Sequence, residues 1–166
     1  DFGLTGISYE RADHPSFHPG KSAHVLLGKK KLATFGEIHP KVSQNYNMEK
    51  ASYIMELDLM TLYNAAVTEK KYVEIPKYPS VTRDIAVLID DAVLVQEMEM
   101  IFKKQGGSLL ESYTLFDVYK GKQLPEGKKS VAYSLVYRNK ERTLTDKEVN
   151  KVHDKIVRTL EHMLGA

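Results

Sequence analysis

Apolar residues recur at strand spacing in some stretches of this chain and at helix spacing in others. "RDIAVLID" at 83–90 alternates apolar with polar, as a strand with one buried face does. "VLVQEMEMIFKKQ" at 93–105 predicts a helix, capped by Asp90 or Asp91 and stopped by Gly106-Gly107. "SLLESYTLFDVYKG" reads as a long strand, "KQLPEG" as a turn, and "KKSVAYSLVYR" as the antiparallel return strand. "TLTDKEVNKVHDKIVRTLEHML" is a final helix. Thr145 and Glu148 have capping-box spacing at its start, and Val149, Val152, Ile156, Leu160 and Met163 form its apolar stripe. The order β-α-β-β-α predicts an α+β fold, a ferredoxin-like split βαβ sandwich with both helices on one sheet face and the other face open.

Before this block the pattern is that of an antiparallel sheet. "SAHVLLGKKKLATFGEI" places two apolar runs around Gly28-Lys29-Lys30-Lys31, a hairpin signal with a solvated lysine turn. "SYIMELDL" is a further strand, and Asp58 can cap a short helix over "LMTLYNAAV". Pro76 and Pro79 forbid a continuous helix across "YVEIPKYPSVT", which serves as a linker or crossover strand. Two domains are expected, 1–75 and 76–166.

Composition narrows the class. The chain has 166 residues, no cysteine and a formal net charge of +2. Disulfides and thiol catalysis are excluded, and a reducing, cytoplasmic setting is the expectation. No apolar run reaches the length of a bilayer span, and "DFGLTGISYE" has no signal-peptide pattern. The absent initiator methionine points to a fragment or a processed product. A nearly balanced charge means that any RNA contact must come from a local surface or a shared one, and DNA binding is not expected.

Gly20-Lys21-Ser22 imitates the end of a nucleotide-binding phosphate loop. The position of the first glycine is taken by Pro15, Pro19 precedes Gly20, and strand-like residues follow where a helix should open, so nucleotide binding is rejected. His14 and His18 lie four apart near His24, but each of the first two precedes a proline and no carboxylate at suitable spacing accompanies them, so no metal site is expected. His39-Pro40 ends a strand, and His153 and His162 are expected on the surface of the last helix. No Ser/His/Asp arrangement has motif support, and Arg83-Asp84 reads as an ion pair or turn at a strand end. No catalytic residue is assigned.

Alternation sorts the strand residues to two faces. Val131, Tyr133, Leu135, Tyr137, Ile85, Val87, Ile89, Phe116 and Val118 are expected in the core. Ser130, Ala132, Ser134, Asp84, Ala86, Leu88, Leu115, Asp117 and Tyr119 then face outward. A face with small residues at its middle, a phenol and a carboxylate has the chemistry that holds unstacked bases. Alternation alone favours a merely solvated sheet face, because open sheet faces are common. Lys147, Lys151, Lys155 and Arg158 fall near one side of the last helix, as a solvated face or as contacts to phosphates.

Five ordered motifs decide between these readings. They are Pro79-x-x-x-Arg83-Asp84, Phe116-Asp117-x-Tyr119-x-Gly121, Leu124-Pro-Glu-Gly127, Lys129-Ser130-x-Ala132, and Arg142-Thr143-Leu144-x-Asp146. Together they resemble the ferredoxin-fold anticodon-binding domain of bacterial-type phenylalanyl-tRNA synthetase β subunits. "FHPGKSAHVLLGKKKLATFGEIHP" is similar to a hairpin of the preceding domain in that family, a class II synthetase-like sheet that has lost catalysis. The resemblance implies a non-catalytic module that grips the anticodon stem-loop of tRNA(Phe). It places Ala86, Asp117, Tyr119 and Ser130 at the anticodon, with Ala132 beside them on the same face. It also implies an α-subunit partner in an α2β2 heterotetramer, with ATP and Mg used only at the α-subunit site and no cofactor in this chain. The family adds a short final strand where this sequence reads "HMLGA". A ferredoxin-like domain that binds a small regulatory ligand, and a purely structural assembly domain, are the alternatives.

Overall fold

The computed structural model describes residues 2–67, 69, 72 and 74–165. The chain forms two compact units, residues 1–72 and 73–166.

In the first unit four antiparallel strands lie in the order β1-β2-β3-β4: β1 (Ile7–Arg11), β2 (Phe17–Leu27), β3 (Lys30–Ile38) and β4 (Tyr53–Leu57). The predicted hairpin forms with a tighter turn than the lysine triplet suggested. Leu27 pairs with Lys30, so only Gly28-Lys29 lie outside the ladder. Gly28 takes φ +61°, which glycine reaches without steric cost. Gly20-Lys21-Ser22 are strand residues of β2. Lys21 Nζ lies 2.6 Å from Glu37 Oε2, and Tyr53 donates to the same oxygen at 3.0 Å. Gly36 faces Ser22 in register, and a Cβ there would stand 2.5 Å from the Lys21 carbonyl oxygen. The triplet is thus one wall of a close strand pairing.

Helix α1 (Pro40–Asn45) follows His39, whose ring accepts from the Lys41 amide, so His39-Pro40 does close β3. Helix α2 (Leu59–Ala65) is capped as expected, with the Asp58 carboxylate accepting from the Thr61 amide at 2.9 Å. Val25, Leu32, Ala33 and Leu62 form the core of this unit, flanked by Leu4, Leu27 and Phe35.

The second unit follows the predicted order: β5 (Val81–Asp90), α3 (Val95–Gly106), β6 (Leu110–Tyr119), β7 (Lys128–Tyr137) and α4 (Asp146–Leu164). Its antiparallel sheet runs β5-β7-β6, with β7 central. Ile89, Val131, Tyr133, Leu135 and Tyr137 meet Met98, Phe102, Val149, Ile156 and Leu160 from the helices in one core. Phe102 and Tyr133 pack edge to face at 4.9 Å, and the Tyr133 hydroxyl donates to Glu99 at 2.9 Å. Burial, with Glu99 beside it, raises the Tyr133 phenol pKa well above its ordinary value, so that hydroxyl stays a donor.

Three element-level expectations need correction. Neither Asp90 nor Asp91 caps α3. Asp90 is still in the ladder opposite Lys128, and the Asp91 amide donates to the Gly127 carbonyl at 2.8 Å, so both hold the end of the sheet. The helix instead opens after Leu94, whose amide donates to the Glu97 carboxylate at 3.0 Å. Met163 leaves the apolar stripe of α4 with 64% of its surface exposed, and Leu164 packs on the core in its place. His153 is half-buried and not a surface residue, because its Nδ1 lies 3.1 Å from the hydroxyl of the fully buried Tyr137.

Candidate nucleic-acid interface

Cross-strand pairs share a face in an antiparallel sheet, so the register of the second unit assigns its two sides directly. Val87, Ile85 and Ile89 pair with Val131, Tyr133 and Lys129 and lie toward the helices. On the opposite side, Ala86 pairs with Ala132, which pairs with Asp117. One row along, Leu88 pairs with Ser130, which pairs with Tyr119. In the other direction, Asp84 pairs with Ser134, and Ser134 with Thr114. Ala86, Asp117, Tyr119, Ser130 and Ala132 therefore occupy two adjacent rows of one face, away from α3 and α4.

The middle of those rows is shallow. Ala132 is only 8% exposed although no helix covers it, because a methyl group hardly rises above the backbone between its neighbours. Tyr119 stands beside it with 42% of its surface exposed. Asp117 is also exposed. The arrangement offers a recessed strip of small side chains, edged by an aromatic ring and a carboxylate. A flat base can lie against the strip, the ring can stack, and the carboxylate can accept from an exocyclic amino group.

A β-bulge overturns part of the expected alternation in β6. Leu115 pairs with Tyr133 and Asp117 with the next residue, Ala132, which leaves Phe116 as the extra residue. Leu115 therefore belongs to the helix-side register, not to the open face. Phe116 is not a core residue and is 58% exposed. Val118 shares the helix-side register with Val131 yet stays exposed on this edge strand. Strict alternation also missed Thr114 and Ser112, which pair with Ser134 and Val136 on the open face. Their polarity on either side of the half-buried Tyr113 was the available signal.

The motif residues around the face support it from below. Lys129 is buried, and its ammonium donates to the carbonyls of Asp91 and Val93 at 3.0 and 2.7 Å. Lys128 pairs with Asp90 at 2.8 Å, and Lys120 pairs with Asp91. Arg83 reaches across to Asp146 at 2.9 Å, so it ties β5 to the start of α4 and does not pair with Asp84. Arg142 binds the Glu148 carboxylate with both terminal nitrogens, while the Thr145 amide donates to Glu148 at 3.0 Å and the Thr145 hydroxyl accepts from the Glu148 amide. These bonds hold the Glu148 carboxyl well below the usual carboxylate range. The Pro-x-x-x-Arg and Arg-Thr-Leu-x-Asp motifs are thus clamps on α4.

Lys147, Lys151, Lys155 and Arg158 are exposed along α4, with Asp154 among them. His14 and His18 each accept a backbone amide two residues on, and His24 bonds Thr34 at 2.8 Å. No group of three metal-ligating side chains occurs among the described residues, nor is any described helix long and apolar enough to cross a membrane.

Residues 76–166 match the family described as the ferredoxin-fold anticodon binding domain. The chain belongs to that family. Its anticodon-binding domain coincides with the sheet and helices that frame the two rows. Residues 1–59 match a second family, the phenylalanyl tRNA synthetase beta chain CLM domain. Over 167 aligned residues, covering 100% of this chain, it is 59% identical to the phenylalanine–tRNA ligase beta subunit of Clostridium tetani. The corresponding subunit of Clostridium acetobutylicum is 52% identical over 99% of the chain, and that of Bacillus subtilis 43% identical over 95%. The chain spans about a fifth of the length of these curated relatives, 21%, 21% and 20% respectively. An anticodon-binding domain beside a synthetase-type sheet does not favour the small-ligand regulatory reading.

Proposed function

We propose that the open face of β5, β7 and β6 grips the anticodon stem-loop of tRNA(Phe), as the non-catalytic tRNA-binding part of a phenylalanine–tRNA ligase. The single observation that carries this is the two adjacent rows, Ala86–Ala132–Asp117 and Leu88–Ser130–Tyr119, on the side free of helices. Tyr119 stacks on a base, Asp117 accepts from a base amino group, and Ala86, Ala132 and Ser130 let the base approach the backbone. Lys147, Lys151, Lys155 and Arg158 supply phosphate contacts. Aminoacylation, with its ATP and Mg, takes place on an α subunit, in an α2β2 assembly in the cytoplasm. The names of the similar subunits and the family of residues 76–166 support the reading.

Tyr119→Ala tests it. Loss of one stacked base is expected to weaken tRNA binding by about 1–3 kcal/mol. A titration of the intact ligase that this variant leaves unchanged would refute the assignment.

A further inference from the structure

Gly121 lies two residues past Tyr119, just beyond the end of β6. Most glycines in chain turns are there for backbone reasons, and Gly28, Gly107 and Gly127 have the positive φ that shows it. Gly121 is not among the positive-φ residues, so its backbone is open to any L-residue. The Tyr119 ring occupies the space a side chain there would take. A Cβ at Gly121 would overlap the Tyr119 phenol oxygen and stand 2.5 Å from Cζ and 3.1 Å from Cε1 of the same ring.

All three of those atoms belong to the outer part of one side chain. The ring is 42% exposed, so it has solvent to swing into. A methyl group at position 121 therefore displaces the ring without disturbing a packed core.

We infer that Gly121 is a positioning residue: its missing side chain is the slot that fixes where the Tyr119 ring lies on the open face. This rests on the reading that Tyr119 stacks on a base. Stacking depends on ring offset and tilt, so a ring that is present but misplaced forfeits most of the contact. The cost of Gly121→Ala falls on recognition and leaves folding intact.

The experiment is a double-mutant cycle on the intact ligase with Gly121→Ala, Tyr119→Ala and the double variant, reading tRNA(Phe) titrations and thermal midpoints. Gly121→Ala is expected to weaken binding by at least about five-fold, the lower end of what one stacked base supplies, with an unchanged midpoint. In the Tyr119→Ala background the same substitution is expected to change affinity less than about two-fold, because the group it displaces is gone. If Tyr119→Ala weakens binding while Gly121→Ala binds like the parent, the positioning role is overturned and the interface stands. An equal loss from Gly121→Ala with and without the ring, in affinity or in midpoint, also overturns it, since something other than Tyr119 then excludes the methyl group. If Tyr119→Ala has no effect, the interface itself falls and takes the inference with it.

Discussion

At residue scale, two ionisable groups on α4 make the second unit lose stability as pH falls, each in its own window. His153 is half-buried against the Tyr137 hydroxyl, and burial lowers its pKa below 6.5. Arg83 pushes in the same direction and Asp154 opposes it. Burial holds the Tyr137 phenol up at about 12, so it stays protonated near neutrality, 3.1 Å from the His153 Nδ1. The folded state then binds fewer protons than the unfolded one just below pH 6.5. Its stability is full above that pH and falls as pH drops through the lowered folded value. Thermal midpoints measured from pH 7.5 to 5.5 are expected to decline, and His153→Gln is expected to flatten the decline. Glu148 acts lower down. Its depressed carboxyl contributes stability above 4.5 that is lost in acid, so Glu148→Gln is expected to shrink the acid branch of the same profile. The Thr145–Glu148 clamp was legible in the sequence because capping is set by local spacing. The seat of His153 was not, because burial against Tyr137 depends on how α4 meets the sheet.

At the scale of elements, alternation read β5 and β7 correctly because both are regular and pair along their whole length. It failed in the middle of β6, where one unpaired residue changes which side its neighbours take. Nothing about an exposed Phe116 announces a bulge, since phenylalanine ordinarily belongs inside. The bulge supplies a direct test. Phe116→Ala is expected to change stability by no more than about 0.5 kcal/mol in urea unfolding, where a true core phenylalanine would cost about 3–5 kcal/mol. Ile156→Ala, which empties a fully buried seat in the helix–sheet core, is expected to cost about 2–5 kcal/mol by the same measurement. Asp90 and Asp91 teach a similar lesson. Local spacing nominates them as caps, but ladder pairing and the Gly127 carbonyl had prior claim on them.

For the whole molecule, a net charge of +2 means that attraction to a polyanion depends on where the cations lie. Lys147, Lys151, Lys155 and Arg158 are the candidates for that work. Replacing them with alanine is expected to flatten the dependence of log affinity on log salt by roughly 0.7–0.9 per phosphate contact removed, read from titrations of the ligase at several salt concentrations. The end of the sheet next to Tyr119 is a different electrical region. Lys120 and Lys128 are matched to Asp91 and Asp90, and Lys129 turns its ammonium inward onto two carbonyls. A tally of cations overstates the field there. On the proposed reading, the nearest lysines at that end are already matched, so recognition at the phenol ring owes little to long-range attraction. On that reading labour divides: the cations of α4 serve capture, sensitive to ionic conditions, and the open sheet face serves scrutiny, less dependent on them.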